Sequence, residues 1–172
     1  MANSILSQYS AASALTFTTN INGLTGSGGC VWCAPITTAA TGPGYPTVRV
    51  FYSLIMGTSA PAAGSVIKFY GARGDDAATE IRTGKTISTN TTTSAGYETV
   101  VATVDRFEAQ AGADFCKAAV ADAVTGVTYT GSFELQEPGS DWQIVIVNDA
   151  AALATTTGSH SLTYEYLNPQ VQ

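Results

Sequence analysis

Val127-Thr-Tyr-Thr-Gly-Ser-Phe-Glu-Leu-Gln136 alternates without a break, with Val127, Tyr129, Gly131, Phe133 and Leu135 on one side and Thr128, Thr130, Ser132, Glu134 and Gln136 on the other. A period of two marks a strand with one face on a core and the other in water. Working outward, residues 142–147 are apolar except for Gln143, as expected of a central strand covered on both sides. Leu162, Tyr164 and Tyr166 then alternate with Ser161, Thr163 and Glu165 in a last strand. On the N-terminal side, Val48, Val50, Tyr52, Leu54 and Met56 share one face of a strand over 47–56, and Arg49, Phe51, Ser53 and Ile55 share the other.

Weaker signals fill the rest. Residues 65–70, after a turn over 57–64, read as the hairpin partner of 47–56, with Lys68 their only charge; the glycines and aspartates of 71–76 end that strand. Short strands are expected over 15–21 and 31–37, the second closed by the Gly- and Pro-rich turn at 42–46. Residues 77–96 read as a long exposed loop with a brief strand near Thr86. Residues 97–107 regain β character through Val100, Val101 and Val104. The Ala-rich stretch 109–124 has helix-forming composition, and 114–122 could hold two turns of helix. Residues 1–14 are small and polar and read as an extended N-terminal arm that orders against a partner.

No convincing helix separates consecutive strands, so the crossovers that parallel sheets require are missing. The expectation is an all-β fold: a single antiparallel, jelly-roll-like β-sandwich over 15–172, with roughly eight strands and at most one short helix. A chain of 172 residues is long enough to bury one continuous core without metals or disulfides.

Composition narrows function. Only 12% of residues are charged, while Gly, Ala, Ser and Thr abound, so the surface must be neutral and rich in hydroxyls. Low charge suits a packed assembly or an extracellular setting. Seven Lys and Arg against a net charge of −6 argue against nucleic acid, which needs clustered cations. Residues 1–7 lack a basic start and a long apolar run, so no secretory signal is expected there, and no stretch has the length of a membrane span. Export by lysis of an infected host fits that pattern.

Chemistry-bearing residues are few. Cys30-Val31-Trp32-Cys33 has the spacing of a redox pair or half a zinc site, but the pair lies on a β segment, and only Cys116 and His160 remain as further ligands. Buried apolar cysteines are the simpler reading, with a Cys30–Cys33 disulfide left open. His160, the only histidine, has no nucleophile motif to serve and reads as a turn or strand-edge residue. Asp75, Asp76, Glu134, Glu137 and Asp141 are scattered over turns and exposed faces and make no glycosidase pair. Arg73-Gly74-Asp75, on an expected exposed turn, matches an integrin-binding tripeptide but is ordinary turn chemistry, and the Asn90-Thr91-Thr92 sequon lacks a route to glycosylation. The reading therefore assigns no catalytic residue, cofactor or metal.

Four segments carry a resemblance: Val66-Ile-Lys-Phe-Tyr-Gly71, Tyr129-Thr-Gly-Ser-Phe-Glu-Leu135, Trp142-Gln-Ile-Val-Ile-Val-Asn148, and Ala151-Ala-Leu-Ala-Thr-Thr-Thr-Gly-Ser-His-Ser-Leu-Thr-Tyr164. In this order, over residues 47–168, they resemble small virion-associated β-sandwich structural proteins of tailed bacteriophages. Cys30 to Cys33 and residues 86–96 lie outside the resemblance. It implies a non-enzymatic virion protein made in the host cytoplasm. Such a protein is a capsid decoration (cement) protein on the major capsid protein, or else a head-fibre or tail/collar component. A trimer or dimer is expected, because capsids offer symmetric binding points. A reading of another class is a carbohydrate-binding module using Tyr45, Tyr70, Tyr97 or Trp142.

Overall fold

The computed structural model describes residues 5–17, 21–26, 29–33, 36–37, 47–76, 80–81, 85–86, 115–120, 122–136 and 141–171. Every regular element among them is a strand, and every pairing is antiparallel. The strands are β1 (Ile5–Tyr9), β2 (Ser13–Ala14), β3 (Gly29–Trp32), β4 (Ile36–Thr37), β5 (Thr47–Ile55) and β6 (Val66–Asp76). They continue with β7 (Glu80–Ile81), β8 (Lys85–Thr86), β9 (Phe115–Val120), β10 (Thr128–Gln136), β11 (Asp141–Asn148) and β12 (Ser161–Val171).

Two sheets result. The first runs β1-β12-β5-β10, with β2 also on β12. In the second, β11 lies between β6 and the pair β3 and β4, while β9 and the β7–β8 hairpin lie along β6. The inward residues of β5 and β10 meet those of β6 and β11 in one core. Tyr52 of β5 stacks on Phe69 of β6 with ring centroids 4.5 Å apart, and Phe133 of β10 closes on Phe69 at 5.4 Å. Gly131 makes room for this stack: a Cβ there would lie 2.5 Å from the Tyr52 hydroxyl oxygen.

The strongest alternations fold as read. Val48, Val50, Tyr52, Leu54 and Met56 are buried, as are Phe133 and Leu135 of β10 and Leu162 of β12. The continuous run in β11 is buried on both faces, with Trp142, Ile144 and Ile146 in the shared core and Val145 and Val147 on the other side.

Several expectations are corrected. β5 and β6 form no hairpin: β5 pairs with β10 and β12, while β6 pairs with β11, β9 and β7, so residues 57–65 carry the chain between sheets. The chain changes sheet again between β9 and β10, between β10 and β11, and between β11 and β12. Such alternation lets both faces of the core draw on every part of the chain, and it overrides the preference of neighbouring strands for each other. β6 also runs past Gly71 to Asp76, because β11 and β7 offer it ladder partners on both sides. The stretch read as a possible helix contains β9, docked along Val66 to Gly71 of β6; pairing on an existing sheet outweighs the weak helical preference of alanine. Of the expected strand over 15–21, the described residues 15–17 and 21 form no strand: Leu15 is buried in a loop and Phe17 makes a single bridge to Cys33, while residues 18–20 lie outside the described residues. The presumed arm is a sheet edge, with Ile5–Tyr9 pairing with residues 167–171 of β12, so its partner is the chain's own last strand. The brief strand near Thr86 is β8, and the expected β segment at 97–107 lies outside the described residues.

Asn148, at the end of β11, is fully buried and organises the turn that follows. Its Nδ2 donates to the carbonyls of Leu24 (3.1 Å) and Ala151 (2.8 Å), and its Oδ1 accepts from the Ala150 N–H (3.0 Å). A buried amide with this many partners fixes backbone that would otherwise be left unsatisfied.

Candidate functional site

The register of the first sheet sorts its outward side chains into rows. Glu134, Arg49 and Glu165 stand side by side on β10, β5 and β12; Ser132, Phe51 and Thr163 form the next row, and Thr130, Ser53 and Ser161 the one after. On the opposite flank lie Gln136, Thr47, Leu167 and Tyr9. Period-two alternation places all of these on the face away from the core.

The charged row is held together. Arg49 Nη2 lies 2.8 Å from Glu134 Oε1, its Nε donates to the same oxygen, and its Nη1 is 3.7 Å from Glu165 Oε1. The guanidinium also sits over the Tyr9 ring, 4.8 Å from its centroid. The Glu134 carboxylate first, and the Tyr9 hydroxyl second, hold Arg49 still more firmly in its protonated form. Around this row the face is neutral. Thr128, Thr130, Ser132 and Ser161 are exposed, and Phe51 (36%) and Tyr9 (44%) are two of the three large hydrophobic residues left open among the described residues. Hydroxyls, two accessible rings and one balanced cation on a broad sheet make a surface suited to contact, where aromatics and Arg are enriched and unpaired charge is depleted.

Two clefts are also formed by described residues. At one end of the sheets, Met56 and Leu153 floor a space of about 340 Å³ rimmed by the hydroxyl residues Thr58, Ser59, Thr125, Thr155 and Thr156. Its loops are stitched by backbone bonds, Gly57 N–H to Ala152 O and Gly126 N–H to Gly57 O among them. Among the described residues no charged side chain lines it, so the chemistry of this lining is that of neutral hydrogen bonding. The second cleft, about 350 Å³, is lined by Leu15, Phe17, Ile21 and Leu162, with His160 also on its wall.

His160 closes a ring of hydrogen bonds. Its Nδ1 accepts from the Ile55 N–H (3.1 Å), its Nε2 lies 2.9 Å from the Ala154 carbonyl, and the Ala154 N–H donates to the Ile55 carbonyl (2.9 Å). Both ring nitrogens are thus engaged by backbone, which is a structural role at the strand edge.

Of the Cys30/Cys33 motif, the Cys33 side chain is described: its thiol is buried, accepts from the Ile144 N–H at 3.0 Å, and is pushed up to about 12 by burial, against the smaller opposing effect of that bond. The thiolate is the nucleophile and metal ligand, so this cysteine is inert at neutral pH. Cys30 and Cys116 lie on separate strands, β3 and β9, and among the described residues no group of three His, Cys, Asp or Glu comes together. Arg73-Gly74-Asp75 lies within β6, not on a turn, because Gly74 pairs with both Asp141 and Ile81. Asp75, Asp76 and Asp141 also sit in strands, and Glu134 belongs to Arg49. Glu137 and the Asn90 sequon lie outside the described residues, as do Tyr45 and Tyr97. Tyr70 and Trp142, the other two aromatics considered for glycan binding, are buried at 4% and 0% exposure. The Trp142 indole N–H finds no acceptor among the described residues, and its ring packs edge-on against Tyr164.

The outer face was missed by sequence reasoning because it depends on register. Arg49, Glu134 and Glu165 each occupy a water-facing position of an alternating strand, which is legible; that they share a row is not. Compared with protein-family models, with curated proteins and with solved structures, the chain matches none.

Proposed function

We propose that the chain is a non-catalytic structural protein of a bacteriophage virion, a capsid decoration protein that packs on the outer shell. The observation that carries this reading is the broad outer face of the first sheet, where hydroxyls surround Phe51, Tyr9 and the Arg49 row. Neutral hydroxyls cost little to desolvate when they are re-paired, and modest contacts repeated over a shell add up. The hydroxyl-rimmed cleft at Thr58, Ser59, Thr125, Thr155 and Thr156 offers a second place for a capsid segment to hydrogen-bond. The virion setting rests on the resemblance of the four segments between residues 66 and 164.

The test is rebinding. Labelled protein added to mature capsids stripped of it should reoccupy them, at hundreds of copies per particle by gel densitometry. A few dozen copies or fewer would support the tail, collar or head-fibre alternative. Failure to bind any virion component, with specific hits on a glycan array, would replace the proposal with the carbohydrate-binding reading.

A further inference from the structure

We propose that the cleft over Met56 and Leu153 is a peptide-binding site, which takes an extended, uncharged segment of a partner protein and seats one aliphatic side chain on those two residues. This rests on the reading above of a protein that packs on other virion proteins, and deepens it by naming what its second contact holds.

Three connections, 57–65, 122–127 and 149–160, supply the walls, and backbone bonds tie them together before any ligand arrives. Met56 N–H donates to Val127 O (2.9 Å), Gly57 N–H to Ala152 O (2.9 Å) and Gly126 N–H to Gly57 O (3.1 Å). Gly57 is needed for this close approach, since a Cβ there would lie 2.8 Å from the Ala152 carbonyl oxygen. A preformed site loses little freedom when it binds.

The rim is unspent. Thr58, Ser59, Thr125, Thr155 and Thr156 bring their hydroxyls to it, and among the described residues none of these hydroxyls has a hydrogen-bond partner. A hydroxyl both donates and accepts, which matches a peptide group, itself neutral with one donor and one acceptor. Among the described residues no cation lines the cleft, so a phosphate or carboxylate would go unbalanced. No aromatic ring lines it either, so a sugar would have no flat apolar face to lie against. The charged side chains of the three connections are Asp122 and Asp149, both outside the lining, and Asp149 is held by Lys68 at 3.0 Å.

Size sets the length of what is held. A space of about 340 Å³ is at the small end of ligand sites, so it accepts one side chain and the peptide groups beside it. Val124, 55% exposed on the connection that also supplies Thr125 and Gly126, offers a segment leaving the cleft a further apolar contact.

Amide NMR of the full chain, titrated with capped peptides in which Thr and Ser flank a central Leu, Lys or Asp, tests the site. The Leu peptide should move the signals of Gly57, Thr125, Gly126 and Thr155, with Kd on the order of 1 mM. The Lys and Asp peptides should not, because their charge would be buried unpaired. Thr155→Val and Thr156→Val keep the shape of the rim and remove a hydroxyl, and each should weaken binding by about two- to tenfold. Ala152→Trp fills the cleft and should abolish it; the two valine variants guard against a Trp variant that fails to fold. No movement with the Leu peptide, equal movement with the charged ones, or valine variants that bind as the wild type does overturns the site. Stripped capsids separate the two readings. An Ala152→Trp protein that rebinds them with unchanged affinity overturns the cleft and leaves the structural-protein reading standing, whereas a wild type that takes the Leu peptide but binds no virion component overturns that reading and leaves the cleft.

Discussion

Along β5, Val48, Val50, Tyr52 and Leu54 sink into the shared core, while Arg49, Phe51, Ser53 and Ile55, one residue out of step, reach the outer face. The same contrast runs through β10, where Phe133 and Leu135 are buried and Thr130 and Ser132 are open. One side of the sheet is selected for packing, where lost volume is costly; the other is free to vary and so can be shaped for contact. The difference puts the packed core on one side of these strands and, under the proposed function, the contact surface on the other.

The sharpest way to break this division is to empty the inner side. Trp142→Ala removes a fully buried ring that the Tyr164 edge packs against, and should cost about 3–5 kcal/mol in urea denaturation. Filling the core too tightly costs less: Gly131→Ala drives a methyl toward Tyr52, a ring that Phe69 stacks against at 4.5 Å, and should lose about 1–3 kcal/mol. A smaller effect comes from pH. Burial raises Cys33 from 9.0 to about 12, and Tyr52 and Tyr164 are also raised above their ordinary 10.0 by burial. A group raised in the folded state gives stability that is complete below its unfolded value and is lost as pH climbs through the folded one. The urea midpoint should therefore hold up to about pH 9 and fall above it. The Cys33 share should be on the order of 1 kcal/mol by about pH 10 and should vanish from the pH dependence in Cys33→Ala. Smallest of all, Thr130→Ala on the outer face should leave stability within about 0.5 kcal/mol, read from the same titration.

Much of the inner side was legible in the sequence because burial imposes a period on each strand separately. β10, β5 and β12 could be read one at a time, and their apolar residues lie where the alternation puts them. What joins strands was not legible. Glu134 and Arg49 are 85 positions apart, and nothing local says they are neighbours. The same limit explains the error at β5 and β6, which are adjacent in sequence but pair in different sheets. β9 was misread for another reason: Phe115–Val120 carries Ala118 and Ala119 where a strand signal would need β-branched residues, and only docking on β6 reveals its state. The N-terminal strand failed in the same way, since Ile5–Tyr9 is a strand only because residues 167–171 extend beside it. Asn148 and His160 each tie one distant backbone group, the Leu24 carbonyl and the Ile55 N–H, to backbone within six residues of themselves, and the distant half of each role left no trace beyond residue type.

The most direct measurement is one substitution made on both sides of the sheet. Phe133 and Phe51 stand one row apart on neighbouring strands, Phe133 opposite Val50 and Phe51 opposite Ser132, so each can be cut to alanine in nearly the same place. In equilibrium urea denaturation of protein dilute enough to be monomeric, Phe133→Ala should lose about 3–5 kcal/mol and Phe51→Ala less than about 1 kcal/mol. Equal losses at the two positions, or a greater loss at Phe51, would contradict the division of the sheet into a core face and a contact face.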